Sequence, residues 1–347
     1  ASEDRCPCFF YEEECTVKHR WGSVLAVLCC LVMGLTGCRM QPQKTGRIQV
    51  VCTIFPEYDW VRQIVGDAEG VEVTLLVKGG TDLHSYQPSV KDIAKIAQAD
   101  VFCYVGGTSD SWVTEVLDMA ENPDAIAVPT LEAADAEEEV TVEGMQEEKH
   151  HHHDEDEHHD EEEAQELDEH VWLSLRRAQL ICQAISDALC EADPANADTY
   201  RANTAAYQKQ LQALDAQYTD MVEQEAVRDT FLVADRFPFR YLAQDYGLQY
   251  YAAFAGCSAE TEASFATIAF LSEKVEALRL PCVLTVENGS KALAKTVWEN
   301  AGNRDGEILT LDSLQSVTQT DIDDGVTYLS EMQKNLDVLR TALTEVR

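Results

Sequence analysis

Positive charge is scarce in this 347-residue chain, where 26 lysines and arginines face 63 aspartates and glutamates for a formal net charge of −37. That imbalance excludes nucleic acid as a natural partner and argues against anionic lipid surfaces, since both need clustered lysine and arginine. Paired cysteines are missing too. Twelve cysteines occur, but six lie at or before Cys38. The other six, Cys52, Cys103, Cys182, Cys190, Cys257 and Cys282, contain no CxxC pair, so a thiolate zinc ribbon is excluded. Most sit in apolar runs and read as small buried hydrophobes, with room for one disulfide in an oxidising compartment. No HExxH or paired-metal spacing is present, which removes the usual signature of a metal-dependent hydrolase. Of the nine histidines, only His84 and His170 lie outside the leader and one acidic stretch.

The N-terminus carries a localisation signal. Lys18 and Arg20 precede an apolar run over residues 21–35, long enough for a signal-peptide core and short for a membrane-spanning helix. It ends Leu35-Thr36-Gly37-Cys38, which resembles the lipobox of bacterial lipoproteins, where the cysteine becomes the lipidated first residue. A short uncleaved anchor is the alternative. Either reading places the rest of the chain outside the cytoplasm, on the cell surface. Residues 1–17 read as upstream sequence and carry no fold information.

An apolar fraction of 45% supports real cores, and the length favours two lobes. After a tether over residues 39–47, strands are expected at 48–54, 71–77 and 101–105, with helices at 58–66 and 90–98, the second capped by Ser89. A helix follows at 178–190. Residues 195–227 have one long amphipathic period; at 1.5 Å per residue such a helix would reach about 50 Å and divide the lobes. A second series follows, with strands at 230–234, 249–254, 282–286 and 307–311. Helices are expected between them and over 322–346. The expected fold class is α/β: two lobes, 48–193 and 228–347, each with a mainly parallel sheet, joined by a linking helix within 194–227.

Residues 132–169 have no structural period and hold 19 acidic residues against Lys149 alone, so a solvated loop is expected. Within it stand His150, His151, His152 and His153, then His158 and His159, interleaved with carboxylates. Such a run binds Zn²⁺, Ni²⁺ or Cu²⁺ weakly in several registers. Mid-chain position and short length argue against a purification tag. His84, in Asp82-Leu83-His84-Ser85, and His170, directly after Asp168-Glu169, sit beside strand ends or helix starts, where α/β folds place ligands. Imidazole suits zinc, and carboxylates can complete its shell.

Two longer motifs carry a resemblance. Residues 80–88, Gly-Thr-Asp-Leu-His-Ser-Tyr-Gln-Pro, look like a G-x-D-P-H-x-Y-x-P motif with Leu83 in the proline's place, and residues 168–173, Asp-Glu-His-Val-Trp-Leu, look like D-P-H-x-W-L. From about Ile48 to its end the chain resembles the substrate-binding lipoproteins of zinc and manganese ABC importers, the ZnuA-like cluster. The resemblance implies a non-enzymatic, monomeric binding protein. It would capture Zn²⁺, alternatively Mn²⁺, and deliver it to a membrane permease and its ATPase. It also implies four metal ligands. His84 and His170 correspond directly, and Asp312 falls on the final carboxylate. The third position, five residues before Tyr241, is Arg236, which cannot ligate a cation. Asp235 takes that role if the strand end shifts by one residue, with Glu260 and Glu262 as fallbacks; otherwise Asp235 or Glu262 pairs with Arg236. Two imidazoles and two carboxylates form a harder shell than three imidazoles and one, which admits Mn²⁺, whereas the histidine-rich segment favours zinc. The expected mechanism is capture in a closed cage between lobes, with limited hinge motion. The acidic segment would concentrate metal locally. Rival readings are a metal-dependent hydrolase, which needs an open metal position, and a surface adhesin on the same scaffold.

Overall fold

Four strands build each of two sheets, and every pairing in both is parallel. The computed structural model describes residues 46–146, 166–258, 262–302 and 306–346. In the first sheet β1 (Ile48–Cys52), β2 (Val71–Leu75), β3 (Val101–Tyr104) and β4 (Ile126–Pro129) run in the order β2-β1-β3-β4. In the second, β5 (Thr230–Phe237), β6 (Gln249–Ala255), β7 (Cys282–Val286) and β8 (Glu307–Leu311) repeat the pattern as β6-β5-β7-β8. Central parallel strands are buried on both faces, which is why they read as continuous apolar runs. Thus Val50 and Cys52 join one hydrophobic cluster while Val51, between them, joins another. Val233 and Leu232 divide the same way in the second sheet.

The helices are α1 (Phe55–Val65), α2 (Val90–Ala97), α3 (Val113–Asp118), α4 (Thr130–Ala133), α5 (Leu175–Ala192), α6 (Ala197–Asp220), α7 (Arg240–Asp245), α8 (Phe265–Ala277), α9 (Lys291–Asn300), α10 (Gln319–Asp323) and α11 (Tyr328–Thr344). Ser89 caps α2 as expected, its hydroxyl accepting from the Asp92 amide. Strand β4 is one that sequence periodicity did not reveal. The linking helix α6 is shorter than its amphipathic period implied: 24 residues, or about 36 Å. It ends at Asp220 and runs into a π-helical turn, Met221–Glu225, that keeps Met221 fully buried. The expected closing helix is two helices, broken where Gly325 takes φ +92° and Thr327 caps α11.

Helix α11 returns from the second sheet to pack against the first lobe. Tyr328 meets Trp60 edge-on at 5.0 Å, and its hydroxyl donates to the Trp172 carbonyl at 2.7 Å. The Tyr218 hydroxyl, from α6, donates to the Met332 carbonyl at 2.6 Å. The two halves therefore share a core in which the tyrosine hydroxyls are satisfied, which favours a stiff joint over a loose hinge. Among the described residues no helix is long and apolar enough to cross a membrane.

The acidic segment is less free at its roots than its composition implied. Glu138 and Leu167 form an antiparallel bridge, with the Glu139 amide donating to the Glu166 carbonyl at 2.8 Å. Arg177 and Arg240 both hold the Glu137 carboxylate, at 2.5 and 3.1 Å. Two arginines and a short ladder offset the repulsion that would otherwise splay these strands. Cys52, Cys103, Cys182, Cys190 and Cys257 are free thiols.

Candidate metal centre

The carboxyl ends of both sheets open toward one cleft, the place where parallel α/β sheets bind ligands. The end of β5 and the loops after β2, β3, β6 and β7 line it with Arg236, His84, Ser109, Cys257 and Asn288, among others. Glu169 joins them from the end of the acidic segment.

His84 sits in a single 3₁₀ turn, Leu83–Ser85, capped by Asp82, whose Oδ1 accepts from the His84 amide at 3.0 Å. Its ring Nδ1 lies 2.7 Å from the Ser109 hydroxyl and 3.4 Å from Glu169 Oε2. His170 is fully buried, and one carboxylate oxygen, Asp168 Oδ1, accepts from both its amide and its Nδ1 at 2.9 Å. The turn carrying it is held from the second lobe. Trp172 Nε1 donates to the Ser313 carbonyl at 2.8 Å, and the Tyr241 hydroxyl donates to the Asp168 carbonyl at 2.8 Å.

An ionised carboxylate only accepts, so His170 carries its proton on Nδ1 and presents a lone pair at Nε2. That atom lies 3.2 Å from His84 Nε2. With the His84 proton on Nδ1, facing Ser109 and Glu169, both lone pairs converge on one point. Two nitrogens each bound at ~2.0–2.1 Å to a tetrahedral zinc ion would stand about 3.3 Å apart. The pair therefore has the spacing of two ligands on one ion. Burial, and then the neighbouring His170, push His84 down to about 4 against the pull of Asp82, so the ring is neutral and able to ligate at neutral pH. Burial raises Glu169 above the ordinary carboxylate value, and its Oε2 has no hydrogen-bond partner.

A third donor joins the imidazoles. His84, His170 and Cys257 each place a ligand atom within 4.8 Å of the others. Gly256 makes the approach possible, because a side chain there would begin 3.1 Å from His170 Nδ1 and Cε1. Sequence reasoning missed Cys257, having read it as a small hydrophobe; only its place beside Gly256 in a loop after a strand hinted otherwise.

The two second-lobe carboxylates are placed differently, and neither belongs to this cluster of donors. The register of β5 shifts between Val233 and Arg236, a bulge that re-aims the residues on it. Asp235 turns toward β7, its Oδ2 accepting from the Thr285 hydroxyl at 2.8 Å and its Oδ1 from the Arg236 amide at 2.9 Å. Asp312 Oδ1 accepts from the Leu314 amide at 2.7 Å. Burial, and then the charge of Glu287, raise Asp312 to about 7. Arg236 pairs across the cleft with Asp82 at 2.6 Å, rather than with Asp235 or Glu262. Burial pushes Asp82 up, but the Arg236 guanidinium outweighs it and holds the carboxyl below its usual value. Glu262 is exposed, its carbonyl accepting from Gln146 Nε2 at 3.3 Å. Glu260, Cys38, His150, His151, His152, His153, His158 and His159 lie outside the described residues.

Comparison with known proteins shows the family. The family model described as the periplasmic zinc-uptake complex component A, ZnuA, matches residues 50–342. The zinc-binding lipoprotein AdcA of Streptococcus pneumoniae is 37% identical over 326 residues, covering 91% of this chain and 60% of its own length. The chain thus spans about 60% of the curated relative it matches there. The high-affinity zinc uptake system protein ZnuA of Bacillus subtilis is 30% identical over 329 residues, covering 93% of this chain and 98% of its own. The crystal structure of the Zn(II)-bound ZnuA-like domain of Streptococcus pneumoniae AdcA superposes with a TM-score of 0.67 at 32% identity. It covers 86% of this chain and all of that one.

Proposed function

Because the chain belongs to the ZnuA family of zinc-uptake components, we propose that its cleft captures Zn²⁺ outside the cytoplasm and hands it to the permease and ATPase of an ABC importer. The observation that carries this reading is the part-buried Nε2–Nε2 pair of His84 and His170, 3.2 Å apart, with His170 Nδ1 tied to a carboxylate. Imidazoles oriented in this way are the standard first shell for zinc. The surrounding acids, Asp82, Asp168 and Glu169, would offset the ion's charge. Capture transforms no substrate, so the role is binding and release.

Asp235 and Asp312 would complete the four-ligand cage by exchanging their present hydrogen bonds for the metal. A shell of that kind also admits Mn²⁺. Cys38 would anchor the chain to the membrane through lipid. The histidine-rich run over residues 150–159 would gather metal weakly near the cleft.

A competition titration against a chromophoric zinc chelator tests the reading. The full chain should hold one tight equivalent beyond the weak capacity of the histidine-rich run. The double variant His84→Ala/His170→Ala should lose that equivalent and keep only the weak capacity. Retention of the tight equivalent by the double variant would remove the cleft from the account.

A further inference from the structure

The donor cluster contains a residue that the four-ligand cage does not use. Cys257 follows β6, and β6 pairs in parallel with β5, with Phe254 opposite Arg236 and Ala255 opposite Phe237. The thiol therefore emerges on the strand next to Arg236, whose own guanidinium is engaged with Asp82 and cannot ligate. Of the second lobe's described residues, Cys257 is the one whose donor atom falls in the cluster with both imidazoles.

One hydrogen bond holds it there, and two features of the surroundings suit a ligand. Gly256 leaves room for the chain to pass against the His170 ring. Glu139, from the root of the acidic segment, accepts from the Cys257 amide at 3.0 Å, although 118 positions separate them. Behind the imidazoles, the buried Glu169 Oε2 lacks a hydrogen-bond partner and lies 3.4 Å from His84 Nδ1. Orphaned buried oxygen is costly, and a cation on the His84 ring would relieve it.

We propose that the Cys257 sulfur is a direct ligand of the captured ion, closing with His84 and His170 a three-donor set that favours zinc and other thiophilic divalent ions over manganese. The inference rests on the cleft being the metal site and names the chemistry by which it selects. On coordination the Sγ–H bond breaks, the sulfur lone pair goes to the metal and the proton leaves to water. Thiolate and imidazole together form a softer set than imidazole and carboxylate, so manganese gains least from it.

Cobalt provides the test, because a cobalt–thiolate bond gives a near-ultraviolet charge-transfer band that imidazole and carboxylate ligands do not. The reduced full chain, loaded anaerobically with one equivalent of Co²⁺, should show that band together with visible ligand-field bands. Cys257→Ser should lose the near-ultraviolet band and keep visible absorption, while Cys190→Ser should keep both. Cys257→Ser should also weaken Cd²⁺ binding by at least the ~10–100-fold that losing a supporting group costs a metal site, with a smaller change for Mn²⁺. If Cys257→Ser fails to fold, zinc-edge X-ray absorption of the wild-type chain decides instead, with one sulfur expected at about 2.3 Å. Visible bands that depend on His170, with no sulfur signal, would overturn the thiolate ligand and leave the cleft as the metal site. Absence of any His170-dependent cobalt spectrum would overturn both.

Discussion

The two sides of the cleft are prepared for metal to different degrees. On the first lobe, His170 has Nδ1 committed to Asp168, His84 has Nδ1 beside Ser109, and the two Nε2 atoms converge. On the second, Asp235 has both oxygens engaged by Thr285 and the Arg236 amide, and Asp312 accepts from the Leu314 amide. A hydrogen bond to the far side of a ring orients it for a ligand, whereas a hydrogen bond to a carboxylate's own oxygen competes with one. The first lobe is therefore an assembled half-site. The second contributes a thiol and two carboxylates already engaged in local hydrogen bonds.

That contrast can be broken most easily at Asp168. Asp168→Asn keeps the shape but weakens the hold on the His170 tautomer, and zinc affinity should fall by the ~10–100-fold typical of lost orienting groups. A chelator titration reads this directly, and an unchanged affinity would mean the ring needs no such support. Asp235→Ala should be milder, costing less than ~10-fold in zinc affinity while lowering stability by about 1 kcal/mol through the lost Thr285 bond. Denaturant unfolding and the same titration separate the two effects. A loss matching that of the double histidine variant would put Asp235 on a par with the imidazoles and erase the asymmetry between lobes.

The smallest effect concerns Asp312 and pH. Its carboxyl titrates near 7 in the folded chain, above its ordinary 3.8, so the native state binds the extra proton between those values. Its contribution to stability is full below about 4 and is lost as pH rises toward 7. Asp312→Asn should therefore gain on the wild type across that window and gain nothing more at higher pH. Unfolding midpoints at pH 5 and pH 8, measured without metal, check the sign. An advantage that shrinks as pH rises would show that the carboxylate is stabilising when charged.

Much of the fold was legible because parallel strands announce themselves as short apolar runs. The strands 282–286 and 307–311 were located to the residue. Strand β4 escaped because Ile126-Ala127-Val128-Pro129 is too short and too close to a proline to give a period. The closing helix read as continuous because Ile322 and the apolar face of α11 share a spacing that Gly325 interrupts only through its backbone. At the site, His84 and His170 stood out by scarcity and by their acidic neighbours. Cys257 did not, because its meaning depends on lying near a ring 87 positions earlier. Arg236 could be seen as an obstacle to ligation, but its partner Asp82, 154 positions away, is set by how the lobes pack.

The claim that one ion sits between the two imidazoles is tested most directly by anomalous diffraction at the zinc edge from zinc-loaded crystals of the chain. One strong peak is expected about 2.0–2.1 Å from Nε2 of both His84 and His170. A strong peak elsewhere, with both Nε2 atoms unliganded, would contradict it.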